Sequence, residues 1–342
     1  MAVRWRSPAS RSPGRQLAAA LGAVLVVALS ACSSSDSGAA AATGPVNPNA
    51  PEQSQVTVAS YIQSGVPLIA ATNNQVGASH GLDVKMSNVD SSAAAVSLVV
   101  GGGAQFAYSS YWGVLDSISQ GLDLVVVGEA STSAPEVTTV EVLPDSPVKT
   151  PADLAGKKVG VVALNSNGHI LTQYAIVSAG VDPANMTFVQ LPVGDMPGAL
   201  ENGLVDAIAV FGPPRVQAVE QLHTRTLVDL GAGIFDGQPD SGWVTTKEFA
   251  ESNPNTVAAF QCTASEGAAL LNKDPNNYVQ ALKTLKYNDE AIAGLVAKQV
   301  PYPETTDLKN LQTVPEMAVE LKRIPETFDM STIVIPEPSK CS

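Results

Sequence analysis

Cysteine and histidine are scarce, with three of each in 342 residues. They lie far apart, which leaves little room for a structural metal site. Positive charge is short too. Nineteen Lys and Arg face 32 Asp and Glu. Four of those bases, Arg4, Arg6, Arg11 and Arg15, precede Cys32 in a stretch without an acid; beyond it 15 bases oppose 32 acids, a formal −17. Such a body repels phosphate backbones and anionic head groups, which excludes nucleic acid as a partner. No phosphate loop and no HExxH is present, and no GxSxG nucleophile elbow is expected. Gly101–Gly103 is too short a glycine run to mark a dinucleotide site. No cofactor and no metal is expected. Charged residues make up only 15% against 45% hydrophobic, so the chain buries a core and is not a disordered polymer. Its length suits roughly two domains of ~150 residues.

A spanning helix needs about 20 apolar residues. The run Leu17–Leu29 has 13, preceded by a basic stretch broken by Pro8 and Pro13. That is the size of a signal-peptide core. Leu29, Ser30, Ala31 and Cys32 follow and resemble a bacterial lipobox. The resemblance implies a signal peptide over 1–31, with Cys32 lipidated as the mature N-terminus. The other reading is an ordinary cleaved signal peptide in which Cys32 is incidental. Residues 32–54, rich in Ser, Ala, Gly, Pro and Asn, read as a flexible tether. The expected location is the extracytoplasmic face of the cell membrane, held by lipid alone. Thiols oxidise there. With Cys32 acylated, Cys262 and Cys341 remain as a candidate disulfide between a helix and the C-terminal tail.

From Val56 onward short apolar runs alternate with helical ones. Strands are expected at Val56–Ile62, Leu82–Val89, Gln105–Ser109, Leu122–Gly128, Lys158–Leu164, Thr187–Leu191, Asp206–Phe211 and Thr226–Leu230, with a second unit beginning after Val137–Leu143. Helices are expected at Pro67–Ser79, Ser92–Val100, Tyr111–Ser119, from about Gly168 to Ser178, at Met196–Glu201 and Val216–Gln221, and over nearly all of the chain from Lys247 onward, interrupted by Pro254, Pro275 and Pro301. The βαβ rhythm argues for α/β architecture with mostly parallel sheets.

Several segments carry a family resemblance: SGVPLIAATN (Ser64–Asn73), GLDVKM (Gly81–Met86), SSAAAVSLVVGG (Ser91–Gly102), GLDLVVVGE (Gly121–Glu129), DSPVKTPADLAGKKVGV (Asp145–Val161) and ALENGLVDAIAVFGPP (Ala199–Pro214). Their order is similar to that in the substrate-binding proteins of nitrate, sulfonate, taurine and thiamine-precursor ABC importers. The chain departs from the family pattern at Gln105, where Asp is usual. The resemblance implies the two-lobed type II periplasmic-binding-protein fold with a hinge and an inter-lobe cleft. Lobe I would take 55–142 together with the helical return 240–342, and lobe II 143–239. The crossings would fall near Val140–Pro144 and Gly242–Thr246. The implied function is capture of a small molecule by lobe closure and delivery to an ABC permease and its ATPase, by a monomeric protein that is not an enzyme. The ligand class would be an organic sulfonate, taurine, nitrate or a heteroaromatic precursor. Alternatives are a hydrolase or synthase on the same fold, or a tethered sensor or adhesion lipoprotein.

In open α/β sheets ligands lie beyond the carboxyl ends of strands, against helix N-termini. The candidate ligand-binding residues are therefore Tyr61 at the end of the first strand with Ser64 and Gly65 after it, Ser91 and Ser92 after the second, and Ser109, Ser110 and Trp112 around the third. In the second unit they are Asn165, Asn167, Gly168 and His169, then Phe211 and Pro213, with Arg215 as a possible anion partner. Each has a plainer reading. Ser91 and Ser92 equally suit helix caps, Trp112 and Phe211 a core, and Arg215 an outward helix face.

Overall fold

The computed structural model describes residues 45–61, 65–296 and 301–341. Cys32 and Ser64 lie outside them. Among the described residues ten strands follow in chain order: β1 (Gln55–Ser60), β2 (Asp83–Asn88), β3 (Phe106–Ser110), β4 (Leu124–Thr132), β5 (Thr138–Val142), β6 (Lys158–Val161), β7 (Thr187–Gln190), β8 (Ala207–Phe211), β9 (Arg225–Asp229) and β10 (Pro239–Thr246). They form two five-stranded sheets, ordered β2-β1-β3-β10-β4 and β7-β6-β8-β5-β9. In the first, β1 pairs in parallel with β2 and β3, and β10 runs antiparallel to β3 and β4. In the second, β6 pairs in parallel with β7 and β8, and β5 runs antiparallel to β8 and β9. Both sheets are thus mixed rather than mostly parallel: β10 returns to the first sheet only after the chain has built the second, and β5 enters the second antiparallel to both its neighbours.

β10 is the strand the periodicity hides. Its sequence PDSGWVTT opens with turn formers, yet the strand sits inside the sheet with Trp243 1% exposed. Gly242 faces the Tyr111 ring there, where a Cβ would come within 2.9 Å. The chain passes between sheets at 133–137 and 230–238, ahead of the expected Val140–Pro144 and Gly242–Thr246, which instead belong largely to β5 and β10. The two passages run side by side. Ser133 N–H donates to the Gln238 carbonyl at 2.7 Å, and Glu136 N–H to the Asp229 carboxylate at 2.9 Å.

The expected helix Pro67–Ser79 is broken. Val66–Asn73 ends, Gln75 takes a left-handed φ of 59°, and a single turn Val76–Ser79 follows. Ser92–Val100 and Tyr111–Ser119 lie where the pattern places them. Phe106 of β3 stacks on Phe260 of helix Pro254–Lys273, with centroids 3.9 Å apart, and Trp243 meets the same ring edge-on. Gln105, at the position where the family resemblance has Asp, accepts the Thr57 N–H at 2.8 Å through its amide oxygen. An Asp oxygen offers the same acceptor.

The described part of the segment read as a tether is docked. Glu52 accepts the N–H groups of Asn255 and Thr256 at 3.0 and 2.7 Å and so caps helix Pro254–Lys273 from outside. Burial alone raises its pKa, but these bonds outweigh it and the net shift is downward. At the other terminus Val126 of β4 exchanges backbone bonds with Ile333 and Ile335, at 2.7 and 2.8 Å. Cys262 and Cys341 form a disulfide with their Cα atoms 5.4 Å apart. Among the described residues no helix is long and apolar enough to cross a membrane, and no group of three or more His, Cys, Asp or Glu is placed to hold a metal ion.

Candidate functional site

Four helices begin at one cavity of about 680 Å³ whose wall draws on both sheets. Each begins where a strand or its following loop stops. Ser91 caps Ser92–Val100 by accepting the Ala94 N–H at 3.2 Å. Ser110 ends β3 and caps Tyr111–Ser119 through the Gly113 N–H. Ser166 caps Asn167–Ser178, and Phe211 ends β8 at the start of Gly212–Leu222. Helix N-termini present N–H groups and positive dipole ends, so this arrangement favours an acceptor or an anionic group.

Of the residues expected to bind ligand, Tyr61, Ser91, Ser92, Ser110, Asn165, Asn167, Gly168 and Phe211 line this cavity. Gly65, Ser109, Trp112, His169 and Pro213 do not. Gly65 is packed so closely that a Cβ would meet the Met86 methyl at 2.6 Å. The Ser109 hydroxyl is wholly buried and turns to the Ser110 carbonyl at 3.2 Å. Trp112 is buried in the core. His169 lies behind the loop: its Nδ1 accepts the Asn165 N–H at 2.9 Å, and its ring meets Phe188 edge-on at 4.3 Å. Burial, then the nearby Arg323 charge, lowers its pKa to about 4, so the imidazole is neutral and braces the loop. Asn165 takes a φ of 63°, a left-handed conformation that asparagine tolerates better than most side chains.

The cavity has polar groups that strand-end reasoning overlooked. Asp240 opens β10, which had no strand signal, and its carboxylate accepts from the hydroxyls of Ser131 at 2.9 Å and Ser241 at 3.2 Å. It also accepts from the amide of Asn167, which reaches across from the second sheet. A second cross-sheet bond joins Asn165 Nδ2 to the Asp116 carboxylate at 3.3 Å. Arg323 from the C-terminal region holds the Asn165 oxygen at 2.8 Å. Arg215 lines the cavity while its Nε donates to Thr139 Oγ1 at 2.8 Å and lies 3.8 Å from Glu141. That fixes the guanidinium, and among the described residues its two terminal nitrogens have no hydrogen bond. Tyr61 and Tyr108 meet edge to face at 5.2 Å, and both line the wall.

One catalytic motif is matched in letters alone. Gly77–Gly81 reads GASHG, the GxSxG pattern of a nucleophile elbow. Ser79, however, sits in a single helical turn before β2, with its hydroxyl on the Val76 carbonyl at 2.7 Å. It lacks the strand-to-helix turn that would present a nucleophile.

The family described as NMT1/THI5 like matches residues 65–278. A protein described as an aliphatic sulfonates-binding protein of Escherichia coli (strain K12) is 28% identical over 215 residues, 61% of this chain and 66% of that protein. The taurine-binding periplasmic protein of the same organism is 26% identical over 214 residues, 61% of this chain and 64% of that protein. The chain thus spans just under two thirds of the length of these curated relatives. Among solved structures, the alkanesulfonate-binding protein SsuA from Xanthomonas axonopodis pv. citri bound to MOPS superposes with a TM-score of 0.71 at 18% identity. That match covers 84% of this chain and 99% of the other, and it shows a shared fold.

Proposed function

This chain belongs to the NMT1/THI5-like family, and from that premise we propose that it is the extracytoplasmic solute-binding component of an ABC importer. One observation carries the reading. A single cavity is walled by strand ends and helix starts of both sheets, with Asn167 bonded to Asp240 and Asn165 to Asp116 across it. Lobe I comprises the first sheet with the C-terminal helices, lobe II the second sheet, and the paired passages at 133–137 and 230–238 are the hinge. A solute that touches both walls favours the closed arrangement by its differential affinity for it. The closed form is then what a permease and its ATPase engage. The relatives named for sulfonates and taurine support a small polar organic ligand, and the protein acts as a monomer without turning it over.

Anchoring through Cys32 is part of the proposal, supported by the Leu29–Cys32 motif and the short apolar run before it. Two acyl chains hold a protein at a membrane where one does not. Cys32→Ala is expected to move the protein from the membrane pellet to the soluble fraction; retention in the pellet rejects the anchor.

Closure is tested by small-angle scattering on the purified protein with and without sulfonates, taurine, nitrate and thiamine precursors, alongside a melting screen. A saturating ligand at 100 times its dissociation constant should add about 2.7 kcal/mol and contract the radius of gyration. Stabilisation with no contraction would reject the hinge, and consumption of the compound would reject the binding-protein assignment.

A further inference from the structure

One corner of the cavity is furnished with hydrogen-bond acceptors and lacks a cation. Among the described residues the Asp240 carboxylate is held by neutral donors alone: the Ser131 hydroxyl, the Ser241 hydroxyl and the Asn167 amide. A carboxylate fixes which way that amide faces, since only its NH₂ end can donate. The Asn167 Oδ1 atom is accordingly left buried and without a partner. The remaining charged groups of the wall do not mend this. Asp90, Asp116 and Glu136 are acids, and the one base, Arg215, is already matched by Glu141 behind it. Arg323 serves Asn165 and lies in the field of Asp116. A buried carboxylate with no counter-charge is costly, and so is a buried acceptor with no donor.

A protonated amine brings what is missing: one positive charge and three N–H donors. The aromatic lining suits it as well, because the faces of Tyr61 and Tyr108 attract a cation. We infer that the ligand of this protein carries a protonated amine seated against Asp240, Asn167 and Ser131. The inference rests on the solute-binding reading above and narrows its ligand class. Elsewhere on the wall the guanidinium of Arg215 and the helix N-termini suit a hydrogen-bond acceptor, so the solute carries an acceptor group besides its amine. Seated this way, the amine touches Asp240 on one sheet and Asn167 on the other, which makes it the group that ties closure to occupancy. Burial holds the Asp240 carboxyl above its usual range even against the bonds from Ser131 and Ser241, and an adjacent cation relieves that. A plain oxyanion has no group for this corner and meets a wall where acids outnumber bases.

Matched pairs that differ only in the amine test the inference on the purified chain by titration calorimetry and thermal shift. Taurine is set against ethanesulfonate, β-alanine against propionate, and benzylamine against benzyl alcohol, with nitrate as a bare anion. The amine member of at least one pair is expected to bind, with its partner at least about tenfold weaker, the loss that goes with one charged hydrogen bond. Asp240→Asn should erase that preference and Ser131→Ala should weaken it less. Comparison of the pairs on the unsubstituted protein stands even if Asp240→Asn does not fold. Equal or tighter binding of the amine-free members, or of nitrate, overturns the inference and leaves solute binding intact. A preference that survives Asp240→Asn in a folded variant also overturns it. Binding by no compound of either kind overturns both readings.

Discussion

Glu129 and His169 are buried ionisable groups with opposite effects on stability. Glu129 on β4 is 7% exposed; one carboxylate oxygen accepts the Asp307 N–H at 3.2 Å and the other is buried without a partner. Burial first, then the charges of Asp307 and Glu337, raise its pKa to about 7. The folded protein therefore binds this proton more tightly than the unfolded chain, and stability falls as pH rises from about 4.5 to about 7. The cost at alkaline pH is at most of order 3 kcal/mol. Glu129→Gln is expected to raise the melting temperature at pH 8 and to change it little at pH 4.5; an equal effect at both values would refute the assignment. His169 works in reverse. Its pKa is lowered to about 4, so the unfolded chain takes the proton first and stability is lost as pH falls from about 6.5 to about 4. His169→Gln should flatten the acid limb of a melting-temperature profile, and an unchanged limb would show that the imidazole is not what titrates.

At the scale of elements, three of the four helices around the site were readable because each begins with a serine. Ser91 does cap its helix, as the plainer reading had it, and Ser110 caps the next without having been read so, yet both cap positions also line the cavity. β10 was not readable, because Pro239, Asp240, Ser241 and Gly242 carry turn chemistry and no alternation. Its burial comes from neighbours on both sides, which only the assembled sheet supplies. The passages between the sheets are packed just as tightly. A Cβ on Gly231 would fall 1.8 Å from the Ala134 carbonyl oxygen, whereas one on Gly237 would meet nothing within 4 Å. Gly231→Ala should therefore lower the melting temperature steeply, or prevent folding, through a clash in the hinge. Gly237→Ala should cost only the strain of its φ of 65°, about 1 kcal/mol. Similar losses from the two would argue against the close approach at Ala134.

Over the whole molecule, the C-terminal region joins parts of the chain that local sequence leaves independent. Residues 333–335 extend the ladder of β4, Arg323 reaches Asn165 of the second sheet, and the disulfide ties Cys341 to helix Pro254–Lys273. The bridge closes a loop with a sequence separation of 79, which on the chain-entropy model is worth about 4 kcal/mol. Cys341→Ser, or reduction under non-denaturing conditions, should lower the melting temperature by several degrees. Two titratable thiols in the untreated denatured protein would show that no bridge forms. The cross-sheet bonds of Asn165 and Asn167 make a second prediction at this scale. Asn167→Ala should lessen the contraction of the radius of gyration on ligand binding, and an unchanged contraction would show that this contact does not help hold the two sheets together.

Composition and local pattern determined much on their own: the acidic body, the apolar run before Cys32, the alternation of strands and helices, and the serines that begin helices at the site. Those are properties of a few neighbouring residues, set by charge, capping and periodicity. Tertiary structure alone decided the mixed pairing of the sheets, the placing of β10, the withdrawal of His169 and Trp112 from the cavity, and the meeting of Asp240 with Asn167. Asp240 and Asn167 stand 73 positions apart in the chain, and no periodicity reaches that far. Their contact exists because the two sheets are brought together by a double passage of the backbone.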